Sequence, residues 1–151
     1  MNNRETEILI IGAGPAGLAA AIEAASTGAQ VTIVDENFKA GGQLIKQTHK
    51  FFGSERHYAG MRGIDIAELL FEQVETYNIQ ILLQTAAVGV FDNSIALSHN
   101  GNQLQLIKPR KTILATGAAE NVITFPGWTL PGVMTAGAAQ TFVNLHRIRI
   151  G

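Results

Sequence analysis

The stretch Ile8-Leu9-Ile10-Ile11-Gly12-Ala13-Gly14-Pro15-Ala16-Gly17-Leu18 decides how the rest of the chain is read. Ile8 to Ile11 is a continuous apolar run of strand length with no polar alternation, the pattern of a parallel strand buried on both faces. Leu18 to Ser26 is rich in alanine and sets Leu18, Ile22 and Ala25 on one helical face, and Gly28 supplies a C-terminal stop. Val31 to Val34 is a second β-branched run that ends in Asp35-Glu36. Strand, glycine turn, helix and strand together predict a unit with parallel strands and a right-handed crossover.

Within the turn Gly12-Ala13-Gly14-Pro15-Ala16-Gly17 the three glycines have separate tasks. Gly12 permits the tight turn, Gly14 lets backbone approach a pyrophosphate, and Gly17 lets helix and strand pack closely. Negative charge on the ligand then meets the helix N-terminus, where free N–H groups and the helix dipole favour it. Asp35 lies roughly 20 residues beyond the motif, where an acid accepts hydrogen bonds from an adenosine ribose and repels a 2′-phosphate. Glu36 adjoins it. Glycine turns alone are a weak signal, since such glycines also serve packing only. The strand, helix and acid around this one carry the reading.

Further out, Met1 to Glu7 reads as a short polar leader. Asn37 to Gly63 loses periodicity and gains Gly41-Gly42, Gly53, Gly60 and Gly63, with Phe51, Phe52 and Tyr58 as anchors. Loops of such length are functional or disordered. Helical spacing returns over Ile64 to Tyr77, and Ile79 to Leu83 is a short strand. Ala86 to Phe91, Ser94 to Ser98 and Leu104 to Ile107 predict an antiparallel meander, joined by Asp92-Asn93 and Asn100-Gly101-Asn102. Arg110 to Ala115 is expected as a last buried strand leading into Thr116-Gly117. A proline- and glycine-punctuated connector, Phe125 to Gly132, precedes a helix over Thr135 to His146.

With 151 residues the chain suits one compact domain. Charged residues at 15% and a net charge of −1 select neither nucleic acid nor an anionic membrane as partner. Apolar runs are interrupted well before the roughly 20 residues of a bilayer span, and no basic n-region precedes a signal-like core, so the expectation is a cytoplasmic protein. The absence of cysteine excludes disulfides, cysteine-ligated metals and a redox dithiol within these residues.

NAD and FAD share the ADP half that the glycine turn reads, so the choice between them rests on the sequence downstream of the second strand. An NAD domain continues with βα repeats, whereas here Gly41-Gly42-Gln43, a long loop, one helix and a meander come next. Closed by Ala115-Thr116-Gly117, this order resembles the two-dinucleotide-binding-domain flavoproteins. Gly-Gly-Gln-Leu, Tyr58-Ala59-Gly60, Arg62-Gly63, Phe125 to Met134 and Ala136 to Gln140 narrow the likeness. They resemble the subgroup holding the alpha subunits of hydrogen cyanide synthase, opine oxidase, dye-linked L-proline dehydrogenase and heterotetrameric sarcosine oxidase.

That resemblance implies an α/β, Rossmann-like FAD/NAD(P)-binding fold with a parallel sheet and an antiparallel β-meander insertion. It places Gly41, Gly42 and Gln43 beside the FAD pyrophosphate and flavin, and Ala87 and Val88 beside the adenosine. Residues 1–120 are expected to form the FAD-binding domain and 121–151 a connector toward an NAD(P)-binding domain. The family's second Rossmann unit, its late Gly-Asp segment and the Cys-x-x-Cys of some relatives are expected outside these residues, which makes the chain an N-terminal part of an oxidoreductase. On the residues alone, an NAD-dependent dehydrogenase domain and a non-catalytic nucleotide-binding or assembly module stay open.

No catalytic base stands out, and the substrate, a small molecule, is expected to meet other residues or a partner subunit. His49, His57, His99 and His146 lack metal-ligand spacing and read as exposed or packing residues, so no metal is expected. Glu72 and Glu75 read as a solvated face, Lys46 and Arg62 as loop surface beside a possible pyrophosphate, and Trp128 as a connector anchor.

Overall fold

A computed structural model describes residues 3–151 of the chain, so Met1 and Asn2 of the expected leader lie outside the described residues. Strand β1 (Asn3–Ile11) runs into helix α1 (Pro15–Ser26) and strand β2 (Val31–Val34). Helix α2 (Gly63–Thr76) and strand β3 (Gln80–Leu82) follow, then β4 (Thr85–Phe91), β5 (Ser94–His99), β6 (Gln103–Leu114) and the short helix α3 (Ala136–Gln140). One sheet holds all six strands in the order β3-β2-β1-β6-β5-β4. Strands β3, β2, β1 and β6 are parallel neighbours, and β6, β5 and β4 form the antiparallel meander.

Two layers cover the parallel strands, and period-2 alternation sorts the side chains between them. Ile10, Val31 and Ile33 face α1 through Leu18 and Ala21, and α2 through Ile66, Ala67, Leu70 and Val74. Leu9 and Val34 face the other way, where Ile95, Leu97 and Ile107 of the meander close a second cluster. The meander therefore lies across the face that the helices leave open. This explains the near-continuous apolar runs in β1 and β2.

Several boundaries differ from those expected, each for a tertiary reason. The polar segment from Asn3 to Glu7 is strand and not leader, because β1 pairs with β6 from Asn3↔Leu106 to Ile11↔Leu114. Thr6 is buried there and donates toward the carbonyls of Ile8 and Gln30, while its Oγ1 accepts from Thr32. The two strands expected over Leu104–Ile107 and Arg110–Ala115 are one, β6, shared between the parallel ladder and the meander.

The second half of β6 is not buried as expected. Pairing with β5 ends at Ile107, so beyond it β1 alone is a neighbour, and Leu114 is 72% exposed. Among the described residues none beyond Ile107 is buried. Lys108-Pro109-Arg110-Lys111 opens this half, and charge with proline is what discourages a free edge from pairing with other chains.

In the long loop, 3-10 turns form at Gly42–Lys46 and Glu55–His57, and a bridge joins Lys50 to Arg62. Helix α1 starts at Pro15, earlier than expected, because proline fits the first helical position, where the N–H has no partner in any case. The helix expected over Thr135 to His146 divides into α3 and a π-turn, Thr141–Leu145.

Because Leu97 is fully buried between the meander and the parallel strands, Leu97→Ala is expected to cost about 2–5 kcal/mol of stability. Urea unfolding at an unchanged slope measures it. A near-neutral result would mean that the meander is not part of the common core.

Candidate dinucleotide-binding site

Three ends meet at the top of the parallel strands: the β1–α1 turn, the end of β2, and the end of β6. Gly12 sits at φ +109°, and a Cβ on it would run into the Ala115 carbonyl. A Cβ on Gly17 would run into the Gly12 carbonyl. Both glycines are thus demanded by the protein's own packing. Gly14 is different. Its φ is −74°, open to any residue, and a Cβ there would meet nothing closer than the Gly42 Cα at 3.9 Å. Its missing side chain leaves space in front of α1 that no protein atom claims.

Gly14 is the N-cap of α1 and no side chain caps the helix. Pro15 has no N–H to offer, and the first-turn N–H groups of Ala16 and Gly17 have no carbonyl behind them within the helix. An anion in front of Gly14 would receive these donors and the positive end of the helix dipole. Ala13 does not add to them. Its N–H donates to Asp35 Oδ2 at 2.6 Å, and its carbonyl accepts from Gly41 N–H at 2.7 Å.

Asp35 is only 9% exposed. Besides Ala13, its carboxylate accepts at Oδ1 from the Asn37 backbone N–H and the Asn37 side-chain amide, both at 2.8 Å. Glu36 is exposed and turns toward a hollow of about 520 Å³ lined also by Asn37, Phe38, Gln84 and Val88. Ala87 pairs with Leu97 and packs on the second core, while the register shift between Ala87 and Gly89 pushes Val88 out to 57% exposure. Bulges of this kind re-aim a side chain. Here it is aimed at the hollow.

The Gly-Gly pair closes the other side of the turn. Gly41 (φ +114°) and Gly42 (φ +53°) hold left-handed backbone, and a Cβ on Gly42 would lie 2.8 Å from the Gly14 Cα. Gln43 is exposed beside them. Ala115 packs under Gly12 and Gly17, whereas Thr116 and Gly117 are exposed and Gly117 has open space around it. The structure thus gathers Gly12 to Gly17, Asp35, Gly41, Gly42 and Ala115 at one locus, with Glu36 and Val88 around the adjoining hollow.

Several residues at this locus were not singled out by sequence. Asn37 and Gln84 are loop polars with no signature. Glu120 closes the connector: it accepts from Gly137 N–H at 2.9 Å and from Thr135 Oγ1. The Thr135 hydrogen bond first, and the Gly137 N–H next, hold its carboxyl below the usual range. A Cβ on Gly137 would overlap this carboxylate, so the glycine follows from the latch. Past α3, Thr141 accepts from Lys46 Nζ at 3.2 Å and the Asn144 amide donates to the Lys46 carbonyl at 2.8 Å. Lys46 thereby ties the C-terminal helix to the Gly-Gly turn.

The remaining candidates serve structure. Arg62 pairs with Asp65 at 2.7 Å on the surface, which stabilises little. His99 bridges Thr85 Oγ1 and the Asn100 amide, His57 meets Ser54 Oγ, and His49 stacks on Phe51. Among the described residues no cluster of three or more His, Cys, Asp or Glu side chains is fit to hold a metal. No described helix is long and apolar enough to cross a membrane.

Sheet order, glycine turn and meander define a Rossmann-like FAD/NAD-binding fold. The chain belongs to the pyridine nucleotide-disulphide oxidoreductase family, which it matches over residues 6–147. It is 38% identical over 144 residues to an opine oxidase subunit of Agrobacterium tumefaciens, covering 89% of this chain and 28% of that protein. It is 32% identical over 160 residues to the alpha subunit of sarcosine oxidase from Rhizobium meliloti, covering 96% and 16%. The crystal structure of L-proline dehydrogenase from P. horikoshii superposes with a TM-score of 0.86 at 26% identity, over all of this chain and 31% of that one. The chain therefore spans less than a third of each of these relatives.

The Glu120 latch has a pH signature. A carboxyl whose folded pKa is lowered contributes stability above its unfolded pKa and loses it as pH falls through the lowered folded value. The Gly137 amide resonance is expected to titrate with a midpoint below the ordinary glutamate range, and Glu120→Gln should abolish that titration. A midpoint at the ordinary value would mean that the latch is open in solution.

Proposed function

We propose that this chain is the FAD-binding portion of a flavin-dependent oxidoreductase that oxidises a small amine, imino or amino acid, or passes electrons between the flavin and NAD(P)H. The observation that carries the reading is Gly14. Its neighbours need their glycines for packing, but nothing in the protein needs this one, and it stands in front of an uncapped helix N-terminus. A ligand whose pyrophosphate passes there accounts for it.

FAD is favoured over NAD by the elements after β2. The Gly41-Gly42 turn is pressed on Gly14, and a meander replaces further βα repeats. When bound, the flavin supplies the hydride or electron transfer. This chain's own work is to bind and orient. Ala16 and Gly17 N–H groups face the pyrophosphate, Gly41, Gly42 and Gln43 flank it, and the hollow by Val88 receives the adenosine. Thr116 and Gly117 border the space beyond Ala115. Residues 1–120 make up the cofactor domain in this reading, and 121–151 the connector toward an NAD(P)-binding domain.

A partner subunit fits the relatives, which are named as subunits of oxidases. We further propose that the protein works in the cytoplasm. A non-catalytic nucleotide-binding module is the second reading, favoured by Asp35 and His99, whose side chains are bonded into the scaffold and not held free as a base.

Gly14→Ala and Gly17→Ala separate ligand from scaffold. Gly17→Ala is expected to unfold the chain or lower its melting temperature sharply. Gly14→Ala should keep the wild-type melting temperature yet weaken FAD binding about 5- to 150-fold, the effect of an overpacked methyl. Flavin fluorescence titration measures it. Equal FAD affinity in wild type and Gly14→Ala, or saturable binding of NAD in place of FAD, would sink the assignment.

A further inference from the structure

We infer that the helical segment 136–145 is a clamp coupled to dinucleotide binding, and that Lys46 is the positioning residue through which it holds the Gly-Gly turn. The inference rests on the dinucleotide-binding reading above, which sets Gly41 to Gln43 and Thr116-Gly117 along the ligand. This one helical segment joins those two stretches. At its start, Gly137 N–H donates to Glu120 Oε1, three residues beyond Gly117. At its far end, Thr141 and Asn144 hold Lys46, the last residue of the 3-10 turn that Gly42 opens.

The contacts form a continuous chain of hydrogen bonds. Lys46 Nζ donates to Thr141 Oγ1 at 3.2 Å, and Thr141 Oγ1 donates in turn to the Gly137 carbonyl at 2.8 Å. A hydroxyl has a single proton to give, so directing it at Gly137 leaves the oxygen free to accept from Lys46. The Asn144 amide donates to the Lys46 carbonyl at 2.8 Å, and the Gln140 amide to Gln47 Oε1 at 3.3 Å. Thr141 and Asn144 both belong to the π-turn, which closes through His146 N–H on the Thr141 carbonyl. Such turns inside helices concentrate at functional sites.

What fastens the segment is polar. None of its residues is buried, Phe142 and Val143 are exposed, and Gln140, Thr141 and Asn144 make the contacts with the turn. Without buried apolar area the attachment is the sum of a few hydrogen bonds, each of modest net value against water. Segments of this kind open ahead of the core. The turn is held elsewhere by buried Leu44 and by Gly41 packed against Ala67 of α2, whereas Lys46 at its end is fastened by the clamp. A ligand along Gly41 to Gln43 requires the turn in place, and the turn in place is what the clamp binds. Ligand binding and clamp closure therefore favour each other, by the same factor in both directions.

Amide hydrogen exchange and flavin fluorescence titration of the 151-residue chain test the coupling. In wild type, saturating FAD is expected to slow exchange at Ala139 and His146, whose N–H groups close the segment on Thr135 and Thr141, by about fivefold or more. In the double variant Thr141→Val with Asn144→Leu, which leaves Lys46 and its charge in place, FAD binding weakens by about the same factor and the slowing disappears. Thr141→Ser, which keeps the hydroxyl, behaves as wild type. Exchange at Ala139 and His146 that bound FAD leaves unchanged in wild type overturns the inference while the dinucleotide site stands, and this measurement needs no variant to fold. Equal FAD affinity in wild type and the folded double variant overturns it as well. Wild type that binds no FAD overturns the underlying reading itself.

Discussion

Everything in this fold depends on how closely two stretches of bare backbone lie together at the ends of β1 and β6. Gly12 has the Ala115 carbonyl against its Cα, and Gly17 has the Gly12 carbonyl against its own. No side chain fits between any of them. That approach seats α1 directly on the strand ends and brings its N-terminus to the same level as the ends of β2 and β6. From this fixed point the other pieces follow: Asp35 and Gly41 take up the N–H and carbonyl of Ala13, and Gly42 comes to rest on Gly14.

The glycines of the turn therefore divide by cause. A substitution at Gly12 or Gly17 is a collision with backbone, which has nowhere to go. At Gly14 the space is claimed by no protein atom, and a methyl there would meet only the Gly42 Cα at ordinary contact distance. Polar groups divide in the same way. Asp35, His99 and Lys46 spend their hydrogen bonds on the scaffold, while Glu36 and Gln43 keep theirs for solvent or ligand. Burial and partner geometry, not residue type, separate the two sets.

Much of this was legible in the sequence. The apolar runs of β1 and β2, the glycine turn and the meander's turn residues each have a local physical signature, and all lie where expected. What stayed hidden was decided at long range. The segment around Thr6 becomes strand only because β6 extends beside it, and nothing local marks Leu104 to Leu114 as one strand with Pro109 inside it. The bulge at Val88 and the partners of Asp35 arise from register and packing. The exposure of Ile113 and Leu114 is a further case, because apolar residues in a strand announce burial whether or not anything covers them.

The long β1–β6 pairing also dictates when the site can exist. Its two strands are far apart in the chain, and loop closure over such a separation makes the pairing a late and slow step in folding. The turn at Gly12, near the start of the chain, is completed only when Ala115 arrives against it. On the ribosome, where chain emerges from the N-terminus onward, the first strand and helix wait for the last strand before their binding geometry is set. During that interval the sheet is unfinished, because its central strand β1 still lacks one neighbour.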